Sequence, residues 1–304
     1  MKYDNSVSDD LLDLESLLDS WLIALRGERK SPSTLKAYRA GVEQYLAFCD
    51  EQQLPKALSK FGVRAFMASL ADTEPATARL RLQALKLFAR WLAEEEGFDP
   101  DPIVAVRAPK LDEKAVPDLS AAEVKAILKA STGKTFRDKR DTALLLLLAE
   151  TGLRGGECLN LDIQDVDLKT CSLLVRRGKG GKGRSVRFSV STAAALDRYL
   201  RARSAAGNPP TGAVWVSSVR PQRLSYRGMS DALKQRAEEA GVRNFHPHRL
   251  RHTAAVRWLA SGGSETGLMA QSGWASRKMI DRYVRTAAEE LASAEFDRLG
   301  LGEL

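Results

Sequence analysis

Three cysteines and three histidines are all that the 304 residues contain, and no apolar run approaches the roughly 20 residues of a membrane span. Cys49, Cys158 and Cys171 form an odd set without metal-ligand spacing. That argues against a disulfide framework and suits small buried thiols in a reduced compartment. The longest apolar stretch, residues 143–149, has the length of a core helix. Residues 1–19 are acidic and lack the positively charged start of a secretory signal, so a cytoplasmic protein with no membrane partner is expected. Internal repeats and low-complexity tracts are also missing.

What is present in excess is positive charge, +8 over the chain. Residues 1–110 carry 15 Lys+Arg against 17 Asp+Glu, and residues 111–304 carry 32 against 22. Six of the acids fall in residues 1–20 beside a single lysine, so both folded parts are basic and only the tip is acidic. A polyanionic partner follows naturally, although basic charge alone is weak support for one.

Helical spacing of apolar residues predicts helices over residues 11–25, from Ser31-Pro32 to Cys49, over 63–70, and from Thr77 onward. On the last of these, Leu80, Ala84, Leu87, Phe88 and Trp91 are expected inward. Arg79, Lys86 and Arg90 then line another side, either as a solvated face or as one that contacts phosphates. Residues 97–117 hold Pro100, Pro102, Pro109 and Pro117 and little periodicity, as a linker does. The expected domains are therefore 1–98, all helical, and 118–304, mixed and mainly helical, joined by a linker at 99–117. The fold class is mainly α with a small β-sheet.

Ser120 with Glu123 is a capping-box signature that opens the second domain. A buried helix is expected over 141–150, ending at Gly152. Two glycines, Gly155 and Gly156, lower helix propensity in the next turn but permit close backbone approach. Two short alternating runs, 172–177 and 184–188, flank a glycine-rich turn and predict a hairpin. From Arg176 to Arg187 there are six basic residues and no acid. Helices follow at 192–203 and 230–240, with a short strand at 214–216.

All three histidines, His246, His248 and His252, fall within seven positions. Behind His246-Pro247, a helix would carry His248, Arg251 and His252 on one side. Trp274 and Tyr283 follow. An arginine suits bidentate phosphate contact, and a phenol can serve as a covalent nucleophile. The gathering therefore suggests a site that handles a phosphate. A metal site is the weaker reading, because no carboxylate or cysteine accompanies the two histidines that have ligand spacing.

Taken together, these residues resemble the tyrosine recombinases, the family of phage integrases and Xer-type enzymes. Thr151-Gly152-Leu153-Arg154-Gly155-Gly156-Glu157 is similar to the family's first arginine box, and Gly178-Lys179-Gly180 to its lysine turn. Pro247-His248-Arg249-Leu250-Arg251-His252-Thr253 is similar to its His-x-x-Arg box. Ser272-Gly273-Trp274 occupies the His/Trp position, and Tyr283 falls where the nucleophile belongs. In three places the sequence departs from the common pattern. Gly155-Gly156 replaces a bulkier pair, Lys182 is a second lysine in the turn, and Trp274 stands where histidine is commoner.

The resemblance implies a site-specific DNA recombinase that needs no cofactor. Tyr283 would attack a backbone phosphate, giving a 3′-phosphotyrosyl link and a free 5′-hydroxyl. Arg154 and Arg251 would clamp the phosphate, Lys179 would protonate the leaving oxygen, and His248 would handle the phenol proton. Trp274 would donate a hydrogen bond and pack the site, with Glu157 in support. Arg79, Lys86, Arg90, Arg176, Lys182 and Arg184 are the candidate DNA contacts. An N-terminal core-binding domain and the catalytic domain would clamp one duplex, with a tetramer on paired sites and a monomer free of DNA. The apolar tail, with Leu291, Phe296, Leu299 and Leu301, would dock on a neighbouring protomer. No room is left for an arm-site-binding domain. A lone-acting type IB topoisomerase and a silent DNA-binding regulator are the alternative readings.

Overall fold

The computed structural model describes residues 12–111, 118–176, 183–219, 222–274, 276–277, 279–281, 292–293 and 295–299. The chain divides into two compact units, Met1–Lys114 and Ala115–Leu304.

In the first unit, helix α1 spans Leu14–Gly27 and starts where Asp13 accepts the backbone N–H groups of Glu15 and Ser16. Helix α2, Pro32–Glu51, has Ser31 as its cap and proline at its first position, as the sequence signalled. Helices α3 (Lys60–Ser69) and α4 (Pro75–Glu96) follow. The buried face of α4 is wider than the expected stripe and is turned from it. Leu82, Leu85, Phe88, Ala89 and Leu92 face inward, while Leu80, Leu87 and Trp91 are only half-buried. Packing against both α1 and α2 accounts for the width.

Short helix α5, Asp101–Val104, lies inside the segment expected to be a linker. Ile103 and Val106 are buried in the first unit's core. Two α4 cations hold the segment: Arg79 donates to the carbonyl of Pro109 (2.8 Å) and Lys86 to that of Val104 (2.7 Å). Thus residues 101–109 pack on the helical unit, because two apolar side chains and two carbonyls find partners there. Arg90 is exposed.

The second unit opens with α6, Ala121–Ser131, closed by the expected Ser120–Glu123 capping box. Helix α7, Phe136–Thr151, begins five residues before the start expected at Asp141. A second capping box, Thr135 with Asp138, sets that start. Apolar all round from Ala143 to Ala149, α7 is the unit's central helix. A short helix, α8 (Gly155–Leu159), comes next. Three antiparallel strands, β1 (Val166–Asp167), β2 (Ser172–Val175) and β3 (Arg184–Arg187), follow in that order. The hairpin's register pairs Leu173 with Val186 and Val175 with Arg184.

Helices α9 (Val190–Ala205), α10 (Tyr226–Glu239), α11 (Pro247–Ala260) and α12 (Glu265–Ser272) complete the unit. Where a short strand was expected over 214–216, residues 213–216 carry only isolated bridges, Asp162 to Ala213 and Val216 to Arg223. Trp215 stacks on Tyr199 of α9 at 5.2 Å and fills the core between them. Among the described residues, no helix is long and apolar enough to cross a membrane.

Candidate active site

Helix α7 stops at Gly152, and two residues later Arg154 caps α8. The Arg154 backbone N–H donates to Glu157 Oε2 at 3.0 Å, and its Nη1 donates to Oε1 at 2.9 Å. One carboxylate thereby fixes both the main chain and the guanidinium of Arg154, whose side chain is still 32% exposed. At Gly155 an added Cβ would lie 2.7 Å from the Tyr226 ring, so the close approach anticipated from the glycines occurs here; Gly156 faces open space.

Arg251 comes from the middle of α11 and is buried. It donates to the carbonyl of Gly152, at the end of α7, and to that of Ser272 (3.0 Å), at the end of α12. Its guanidinium lies over the Trp274 ring, 5.1 Å from the centroid. Trp274 is itself buried with Val256, Leu259, Leu268 and Ile280. Arg251 therefore ties together the chain segments that carry the arginine box and the tryptophan. His248, one turn before Arg251, is exposed, and its ring meets that of buried His252 edge-on at 4.9 Å. Burial first, then the charges of Arg249 and Lys234, lower the imidazole pKa of His246. Among the described residues, no group of three or more His, Cys, Asp or Glu side chains could hold a metal ion.

A cleft of about 700 Å³ opens beside Arg154 and is bordered by Glu157, Asn160, Asp165, Arg176 and Arg223. Arg176 pairs with Asp165, and Arg223 pairs with Asp162 at 2.6 Å. Lys179, Lys182 and Tyr283 lie outside the described residues, as do Leu291 and Leu301. Phe296 and Leu299 are exposed.

Arg184, read from the sequence as a DNA contact, is 12% exposed and faces inward. Its Nη2 and Nη1 donate to the two Glu157 oxygens at 2.7 and 3.2 Å, and its Nε donates to the Gln271 carbonyl at 3.0 Å. The signal was in the strand alternation: residue 184 shares a face with buried Val186. Burial alone would raise the Glu157 carboxyl pKa. Hydrogen bonds from Arg184 and from the Arg154 backbone outweigh that and hold it below the ordinary carboxylate range.

A helical unit, followed by a mixed unit that draws its two box arginines and its tryptophan onto one set of helix ends, defines the tyrosine recombinase class. The chain belongs to the phage integrase family. Residues 117–290 match that family's model, and residues 17–97 match its N-terminal SAM-like domain. Among curated proteins, it is 33% identical to tyrosine recombinase XerC of Pseudomonas aeruginosa over 291 residues, 92% of this chain and 93% of that protein. It is 30% identical to the XerC of Pseudomonas fluorescens, again over 92% of this chain. The XerA recombinase structure superposes with TM-score 0.54 at 28% identity, covering 92% of this chain and 98% of that one. A λ integrase tetramer bound to a Holliday junction shares the fold at TM-score 0.70 and 20% identity, over 90% and 78% of the two chains.

Proposed function

We propose that the chain cuts and rejoins specific DNA sites through a phosphotyrosine link, with Tyr283 as nucleophile and Arg154, Arg251, Lys179, His248 and Trp274 around the scissile phosphate. The observation that carries this reading is the double anchoring of the arginines. Arg154 is held by Glu157 and Arg251 by the carbonyls of Gly152 and Ser272, and Gly152 lies two residues before Arg154. Phosphoryl transfer asks little covalent chemistry of a protein. It asks for fixed cationic donors that meet charge as it develops on the phosphate oxygens. Guanidiniums set in advance supply this without reorganisation at the moment of reaction.

Tyr283 attacks phosphorus as the bond to the 5′-oxygen breaks. The 3′-phosphate stays on the phenolic oxygen, and the 5′-oxygen leaves with a proton from Lys179. A phenol of pKa about 10 needs a proton acceptor at neutral pH, and exposed His248 on α11 is the residue assigned to it. Trp274 closes the site and shields Arg251. A 5′-hydroxyl from the partner strand then reverses the step, so the energy of the phosphodiester is conserved. The duplex is the partner, four protomers act on two sites in the cytoplasm, and the tail around Phe296 and Leu299 links one protomer to the next. The λ integrase complexes with DNA and the XerC relatives support this assignment.

Covalent capture tests it. The wild-type chain and Tyr283→Phe are incubated with fragmented genomic DNA and denatured in detergent, and whatever DNA stays attached is sequenced. A single recovered sequence from the wild type alone is the expected outcome. An adduct that survives in Tyr283→Phe would assign the wrong nucleophile. Efficient relaxation of any supercoiled plasmid by monomer would favour topoisomerase action.

A further inference from the structure

We infer that Arg184 is a positioning residue for cleavage, holding Glu157, and through it Arg154, while locking the return strand of the lysine hairpin to the end of α12. The inference rests on the reading of Arg154 as a phosphate clamp, and it gives Arg184 a role in the chemical step in place of DNA contact.

The Glu157 carboxylate is held from two sides. Glu157 is 7% exposed and receives two donors from Arg154 and two from Arg184. A carboxylate buried to this degree needs several donors to stay ionised. With only those of Arg154 left, it would be free to rotate or take up a proton. Arg184 meets both carboxylate oxygens, a fork-to-fork contact that fixes the plane of the carboxyl group as well as its charge. Its third donor reaches the Gln271 carbonyl, and Gln271 in turn donates to the carbonyl of Arg187 at 3.0 Å, so β3 and α12 are stapled at two points.

Gly273 completes the seat. Its backbone is left-handed (φ +65°), and an added Cβ would lie 2.7 Å from Arg184 Nη1. Only glycine leaves room for the guanidinium there. Trp274 follows directly, and the Ser272 carbonyl before Gly273 takes a donor from Arg251. Arg184 therefore joins three parts of the site: Arg154 through Glu157, Trp274 through the Gln271–Gly273 segment, and the lysine hairpin through its own strand. Lysine in its place would keep a charge but not three donors in a fixed plane.

The test uses the full chain and three readouts. The duplex recovered by covalent capture with the wild type serves as the DNA probe, for Arg184→Lys and Arg184→Ala. Affinity at several salt concentrations is expected to match the wild type. The rate of adduct formation at saturating protein should fall roughly 100-fold in Arg184→Ala, the size of effect that a misplacement of about 1 Å produces. Arg184→Lys should fall less. Adding Glu157→Gln to Arg184→Ala should cost little more, since both act on one unit. Weaker binding with a salt slope shallower by about one would mark a phosphate contact and overturn the inference. An unchanged saturating rate would overturn it as well, leaving a structural brace only.

The third readout needs no DNA. Mass spectrometry follows the labelling of Arg154 by a dicarbonyl reagent, in Arg184→Lys if Arg184→Ala does not fold. Labelling is expected to quicken as Glu157 loosens its hold, and an unchanged rate contradicts the inference. If the wild type forms no adduct, the phosphotyrosine reading fails, and the labelling result still decides the role of Arg184.

Discussion

In the first unit, Trp21 stacks on Tyr38 and tilts against Phe88, and Tyr45 meets Phe66 edge-on. Its ion pairs are outside, as with Arg39 and Asp19, 41% and 69% exposed. In the second unit, Arg140 and Asp141 are almost wholly buried, Arg236 joins them, and Arg249 and Arg251 are buried as well. Among the described residues, every buried charged side chain belongs to the second unit. Buried charge is a poor route to stability, because desolvation takes back most of what the pairing returns. Its value here is geometric. A guanidinium bonded to carbonyls on two helix ends fixes where those ends lie, which grease between them would do less well. The first unit needs only a stable body that presents a surface, and aromatic packing supplies that.

The contrast can be broken most forcefully at Asp141. Asp141→Ala leaves Arg140 and Arg236 facing each other without their shared carboxylate and should lower stability by about 3–5 kcal/mol. Hydrogen exchange should locate the loss in α7 and α10 and leave α1 to α4 protected. In the first unit the equivalent wound is a cavity. Leu85→Ala, at a fully buried position on α4, should cost about 2–4 kcal/mol, with exchange rising in α1, α2 and α4 only. A cost spread evenly over both units, in either variant, would dissolve the distinction.

Acid sharpens it further, with a smaller effect. Glu123, Asp138 and Glu157 all lie in the second unit, and each carboxyl is held below its ordinary range. The Ser120 backbone N–H does this for Glu123 and the Thr135 hydroxyl for Asp138. At Glu157, burial pushes upward and the hydrogen bonds from Arg184 and Arg154 together outweigh it. A carboxyl with a lowered folded-state pKa stabilises the fold fully above its unfolded value and loses that contribution as pH falls through the folded one. The second unit should therefore begin to open first on acidification, followed by hydrogen exchange at steps of falling pH. Earlier opening of α1 to α4 would contradict this.

Much of this was legible in local signals. The Ser120 box, the Pro32 helix start and the β2–β3 hairpin each rest on a few neighbouring residues, and each formed as the sequence signalled. The recombinase boxes were legible for the same reason, since each is a short string with its own spacing. Long-range pairing was harder to read. Residues 136–140 precede the helix expected over 141–150, yet they form its first turns, and Arg140 is 3% exposed and paired with Asp141. Arg79 and Lys86 line the face expected to be solvated or to contact phosphates; Arg79 stays exposed, and both hold carbonyls of the 104–109 segment. Prolines suggested a linker there, while Ile103 and Val106 found space in a core that no local pattern announces. Arg184 lay between the two cases: its alternation was visible, but its carboxylate partner is 27 residues away.

The most direct measurement identifies the amino acid that carries the DNA. The captured adduct is digested with protease and nuclease, and the peptide bearing the nucleotide remnant is sequenced by mass spectrometry. A 3′-phosphonucleotide on Tyr283, lost in Tyr283→Phe, is the expected result. A remnant on any other side chain, or stable DNA binding by the wild type with no remnant at all, would contradict the assignment.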